Sequence, residues 1–162
     1  APPSGSGHRV LFVAAFAPDE GENLGDLSAG SKDSVLNSAL VQRQYPTGQG
    51  TETATEFAID PALFREAFAA DLPTEQTAVM AATQRPVAAS AFTDVSGPPA
   101  WKTLPSWAVV ATGDKAAGSD VVRSMAQRAG ADILEVEGSH VIMISQPQVV
   151  ADLILKAVHA VS

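Results

Sequence analysis

Two side chains have the types and the placement for proton-transfer chemistry: Asp114, in Thr-Gly-Asp, and His140, in Gly-Ser-His. A histidine works as a general base when a carboxyl group on one ring nitrogen fixes its tautomer and stabilises the imidazolium that forms. Such a pair needs a nucleophile to serve. There is no cysteine, and no serine has glycine two residues before and two residues after it, as the sharp turn of a nucleophile elbow requires. Ser4 and Ser6, in Pro-Ser-Gly-Ser-Gly-His, only brush that pattern and stand ahead of a strand instead of behind one. Each member of the pair also has a bland reading, Asp114 as a turn or cap residue and His140 as a polar loop residue. Asp19 is a minor rival for the acid. Asp19, Glu20 and Glu22 form an acidic cluster with no histidine nearby in sequence, so a solvated loop is expected there and no metal site. His8 is expected in solvent, and His159 at a helix end where a cation suits the dipole.

The elements on either side decide whether Asp114 and His140 can meet. Val10 to Phe16 is an unbroken apolar run that predicts a buried strand, ending at Ala17-Pro18-Asp19. Trp107 to Thr112 predicts a second strand and Ile133 to Val136 a third. Between these two, the spacing of Val121, Val122, Met125, Ala126 and Ala129 predicts a helix capped by Ser119 and ended by Gly130. A last helix follows Ser145-Gln146-Pro147-Gln148, which fits a capping box. It carries Val149, Val150, Leu153, Ile154, Ala157 and Val158 on one face. Strand and helix alternating at this spacing imply a parallel sheet. Groups that act in such sheets sit beyond the carboxyl ends of strands, where both Asp114 and His140 fall.

The stretch 21–104 reads as an insertion over the sheet. Its first part is polar and small, with a weak helix over 32–42. Asp60-Pro61 opens a clear helix with Leu63, Phe64, Ala67, Phe68 and Leu72 on one face. A second helix is expected over 74–83 and a short piece over 87–92. Residues 1–9 read as a flexible terminus and 10–162 as one region.

The chain has 162 residues, 46% hydrophobic and 17% charged, with a formal net charge of −8. That balance is globular. The negative charge argues against nucleic acid and anionic membrane as partners, and no apolar run approaches the roughly 20 residues that span a bilayer. The compartment is left open, the cytoplasm being slightly favoured.

Three stretches together resemble one subgroup of small bacterial α/β-hydrolases of the esterase-like kind. LFVAAFAPDEGENLGDL, from Leu11, is similar to that subgroup's sixth strand and the loop leaving it. FREAFAADLP, MAATQRPVAASAF and AWKTLP resemble its lid. SWAVVATGDKA, MAQRAGA and GSHVIMISQPQVVADLI resemble the acid strand, the next helix, the histidine loop and the last helix. The resemblance implies that Asp114 is the triad acid and His140 the base, in the chain order Ser…Asp…His of that fold. It implies no cofactor. It begins at the sixth strand, so the early strands, the oxyanion loop and the nucleophile elbow have no counterpart here.

The expectation is therefore an α/β fold: a partial α/β-hydrolase of about three parallel strands, flanking helices and a helical lid. The expected chemistry is hydrolysis of a carboxylic ester by a Ser-His-Asp mechanism whose serine this chain lacks, leaving the chain alone inactive or impaired. A small ester, with a largely apolar acid part, is the expected substrate. Phe64, Phe68, Trp101 and Trp107 are candidates to line its pocket. The rival expectation is a non-catalytic binding or interaction module on the same scaffold. Three parallel strands also leave the first strand's edge open, so the expected macromolecular partner is either the missing N-terminal half or a second copy of the chain.

Overall fold

In the computed structural model, which describes residues 8–160, the three expected strands form one parallel sheet. They are β1 (Val10–Val13), β5 (Ser106–Ala111) and β6 (Asp132–Val136), in the order β1-β5-β6. The central strand β5 is buried at all six positions, because helices cover both of its faces. Trp107, Val109 and Ala111 point to one side, against Ile142, Val150, Leu153 and Ala157. Ala108 and Val110 point to the other, against Val122 and Ala126. The alternation follows from the two-residue repeat of a strand. The covering helices are α6 (Ser119–Arg128) on the second face, and α7 (Ile142–Ser145) with α8 (Pro147–His159) on the first.

β1 is shorter than its apolar run. Ala14 takes a positive φ of 45° and turns the chain out of the ladder after a last bond from its N–H to Val109 O at 2.9 Å. Ala15 and Phe16 thus leave the ladder and line a cavity beside His140, while Phe16 also packs against the face of the sheet that α6 covers. The ends of α6 and α8 also differ from expectation. Ser119 does not cap α6: its hydroxyl donates to Asp33 at 2.6 Å, and the cap position belongs to Gly118 at φ 89°. No side chain caps α8. Gln148 donates to Asp152 at 2.8 Å instead of reaching back, so the capping box is not formed. The expected stop of α6 is present, with Gly130 at φ 64° just beyond it.

The insertion between β1 and β5 is mixed rather than purely helical. It contains α1 (Leu24–Ala29), α2 (Leu36–Ala39), β2 (Leu40–Pro46), β3 (Thr53–Ile59), α3 (Phe64–Phe68), α4 (Thr74–Thr83), β4 (Val87–Ala88) and α5 (Ser90–Thr93). β2, β3 and β4 make a second, antiparallel sheet. The expected helix over 32–42 shrinks to α2, because β2 begins at Leu40 to pair with β3. The helix opened by Asp60 is also short. Asp60 takes the Ala62 N–H with its side chain at 2.9 Å and the Leu63 N–H with its carbonyl at 2.9 Å, which makes a turn before α3 starts. Phe64, Ala67, Leu72, Ala81, Ile59 and Ala39 then form the insertion's own core. Of the expected flexible terminus, residues 1–7, with Ser4 and Ser6, lie outside the described residues; His8 is exposed.

Candidate active site

Asp114 follows β5 and His140 follows β6, and adjacent strands bring the two loops side by side. The parallel pairing continues past the strand ends: Thr112 N–H donates to Val136 O at 2.9 Å and Gly113 N–H to Gly138 O at 2.9 Å. This approach needs glycine at 113, where a Cβ would lie 2.9 Å from Gly138 O.

Asp114 is 1% exposed and uses both carboxyl oxygens. Oδ1 accepts from the Ala116 and Ala117 amides, each at 2.9 Å. Oδ2 lies 2.8 Å from His140 Nδ1. With Nδ1–H donating to Asp114, the neutral imidazole leaves Nε2 as a free acceptor, the form that a general base needs. The bland reading of Asp114 is thus also true, since the same carboxyl organises the turn into α6.

His140 stands at the edge of a cavity of about 410 Å³ whose walls include Phe16, Pro18, Leu24, Leu36 and Phe68. Phe68 packs on the imidazole with ring centroids 4.8 Å apart, and Phe64 supports Phe68 from behind at 5.2 Å. Phe64 itself is buried in the insertion core. The other two pocket candidates lie elsewhere. Trp107 belongs to the sheet core, because its place on β5 points it at α8. Trp101 donates its indole N–H to Pro18 O at 3.1 Å, between the cations of Lys102 and Arg128.

Two of the three acidic residues are spent on ion pairs, while Glu20 is exposed. Asp19 meets Lys102, so it does not stand in for Asp114. Glu22 takes both arms of Arg128, at 2.6 and 2.7 Å, and that guanidinium holds its carboxyl below the usual glutamate range. Arg128 also donates to Ala17 O at 3.0 Å, tying the loop after β1 to α6.

One residue that sequence reasoning missed is Asp71, just past α3. Its Oδ2 accepts the Ser139 amide at 3.0 Å, and its Oδ1 accepts the Ser139 hydroxyl. Burial pushes its carboxyl up, but the hydroxyls of Ser139 and Ser145 and the Ser139 amide together outweigh burial and hold it below the usual aspartate range. The only signal was its presence in FREAFAADLP, a stretch that resembled a lid and named no role for it.

Residues 5–153 match the model of the alpha/beta hydrolase family. The chain belongs to that family. No curated protein sequence matches it, but solved structures do. Polyneuridine aldehyde esterase superposes with a TM-score of 0.71 at 16% identity, over 91% of this chain and 61% of its own. An extracellular α/β-hydrolase from a Paenibacillus species gives 0.67 at 18%, over 92% and 61%. A methylesterase from Arabidopsis gives 0.66 at 19%, over 93% and 58%. Esterases thus recur among the structural neighbours of this hydrolase-family chain, which spans about three fifths of their length. At these identities the likeness is one of fold.

Proposed function

We propose that the chain supplies the acid and the base of a serine-type carboxylic-ester hydrolase, with Asp114 orienting His140. The reading rests on the 2.8 Å approach of His140 Nδ1 to a buried Asp114 that is itself fixed by two amides. The apolar cavity beside His140 and the esterases among the structural neighbours support it.

In this reading a serine hydroxyl from outside these 162 residues attacks the ester carbonyl. His140 Nε2 takes the serine proton as the C–O bond forms, and Asp114 stabilises the imidazolium. The imidazolium then protonates the departing alkoxide as the ester C–O bond breaks, leaving an acyl-serine and a free alcohol. Water, deprotonated by His140, attacks the acyl-serine and releases the carboxylic acid. In the same reading the oxyanion donors also come from outside these 162 residues. The cavity walls suit a small, largely apolar acid part.

The test is hydrolysis of a p-nitrophenyl short-chain ester by the 162-residue chain and by the full-length gene product. The full product is expected to turn over and the chain alone to be inactive or strongly impaired. His140→Ala in the full product is expected to lower kcat by about 10³-fold or more. Turnover that survives His140→Ala ends the assignment.

A binding module is the second reading, and one observation favours it: among the described residues, no serine or threonine lines the cavity. Failure of the full-length product to react with a fluorophosphonate, together with saturable uptake of a small apolar carboxylic ester, would decide for binding.

A further inference from the structure

The loop carrying His140 is held on one side by Asp114 and on the other by the insertion. The residue before His140 is Ser139, 4% exposed, whose amide and hydroxyl both go to Asp71. The residue after it is Val141, 3% exposed, which sits in the insertion core with Phe64, Leu72 and Ala81 rather than in the sheet core. The imidazole itself lies against Phe68. Gly138 leaves the space for this docking, since a Cβ there would lie 2.9 Å from Asp71 Oδ2. The stretch 68–71 therefore reaches both the ring and the backbone of the histidine loop.

We infer that Asp71 is a positioning residue for His140, acting through Ser139, so that the seating of the insertion on the sheet sets the orientation of the base. The inference rests on the reading of His140 as the base. A loop between a strand and a short helix has few backbone bonds of its own. Two charge-assisted hydrogen bonds to one carboxylate, from a hydroxyl and an amide, fix the backbone one residue from the imidazole. Small errors in the placement of a catalytic group are costly: about 1 Å is worth roughly 10²-fold in rate. A carboxylate acting through the backbone would control that error without touching substrate.

The experiment is NMR of the chain labelled with ¹⁵N-histidine, using His140→Ala to assign the signals. In the unaltered chain His140 is expected in the single tautomer protonated at Nδ1, with a slowly exchanging proton shared with Asp114. Asp71→Asn removes the charge and weakens the anchor. It should release the ring toward the Nε2–H form and speed exchange of the Nδ1 proton roughly tenfold, the order that loss of one charge-assisted hydrogen bond gives. Spectra are recorded well below each variant's midpoint, so loss of fold is not the readout. If Asp71→Asn does not fold, Ser139→Ala, which removes the hydroxyl donor alone, should move the same signals in the same direction. A variant that melts earlier but keeps the His140 tautomer and exchange rate overturns the inference and leaves Asp71 a structural residue. A chain whose His140 is protonated at Nε2 at the outset overturns the dyad as well. A full-length product that hydrolyses no ester, while His140 still responds to Asp71, sinks the hydrolase reading and leaves the positioning intact.

Discussion

At Asp114 one carboxyl oxygen accepts the Ala116 and Ala117 amides while the other meets the imidazole. Substitutions should separate these two tasks. Asp114→Asn retains an oxygen for the amides but offers an NH₂ to His140 Nδ1, which favours the wrong tautomer. It is expected to fold with a midpoint close to the original while, under the proposed hydrolase reading, ester turnover by the full-length product falls about 10⁴-fold in kcat. Asp114→Ala leaves two buried amides unpaired and is expected to cost about 1–3 kcal/mol of stability as well. Urea titration beside ester kinetics checks both outcomes. Asp71 adds a pH dependence. Its carboxyl is more acidic in the fold than its ordinary value of 3.8, so the folded state favours the ionised form. The stability this contributes is present in full above that value and is lost as pH falls through the depressed one. The stability gap between the original chain and Asp71→Asn should therefore be constant near neutrality and narrow below about pH 4; a gap independent of pH throughout would refute the linkage.

Two strand-end loops in contact are what turn separate residues into a site. Gly113 permits that contact, by close approach rather than by an unusual backbone region. Gly113→Ala would place a methyl 2.9 Å from the Gly138 carbonyl, a backbone atom that cannot rotate away. Overpacking of this kind costs about 1–3 kcal/mol. The expected result is a lower melting temperature together with loss of the slowly exchanging His140 proton, read by calorimetry and proton NMR; an unchanged proton signal would count against the coupling of the loops. The elements around these loops were readable because they are periodic. The buried run of β5, the amphipathic faces of α6 and α8, and the stop at Gly130 all follow from local pattern. β2 escaped because it is half in solvent: Gln42, Arg43 and Gln44 are exposed, so no apolar alternation marks it. Ser119 misled because a good capping residue found a better bond with Asp33 across the chain.

Across the whole molecule the sheet is unevenly protected. β5 is fully covered, but β1 is only half-buried, and among the described residues its outer edge pairs with no strand. Leu155 and Val158 on α8 are 52% and 41% exposed. An apolar open edge is a hazard for association, and so are exposed aliphatic side chains. We expect the 162-residue chain alone to self-associate, or to be stabilised by addition of a segment that pairs with β1. Sedimentation velocity checks this: a stable monomer of 16.7 kDa with a high melting temperature would contradict it.

The sequence by itself determined the three parallel strands, the helices between them and the rim on which Asp114 and His140 fall. These depend on hydrophobic period and on chain order, which are local properties. Only the tertiary structure decided that Asp71 holds Ser139 and that Phe68 covers the imidazole while Trp107 is withdrawn into the core. A hydrogen bond between residues far apart in the chain leaves no periodic trace. The direction in which an aromatic side chain points depends on which helix covers its strand, and that is settled only when the layers pack.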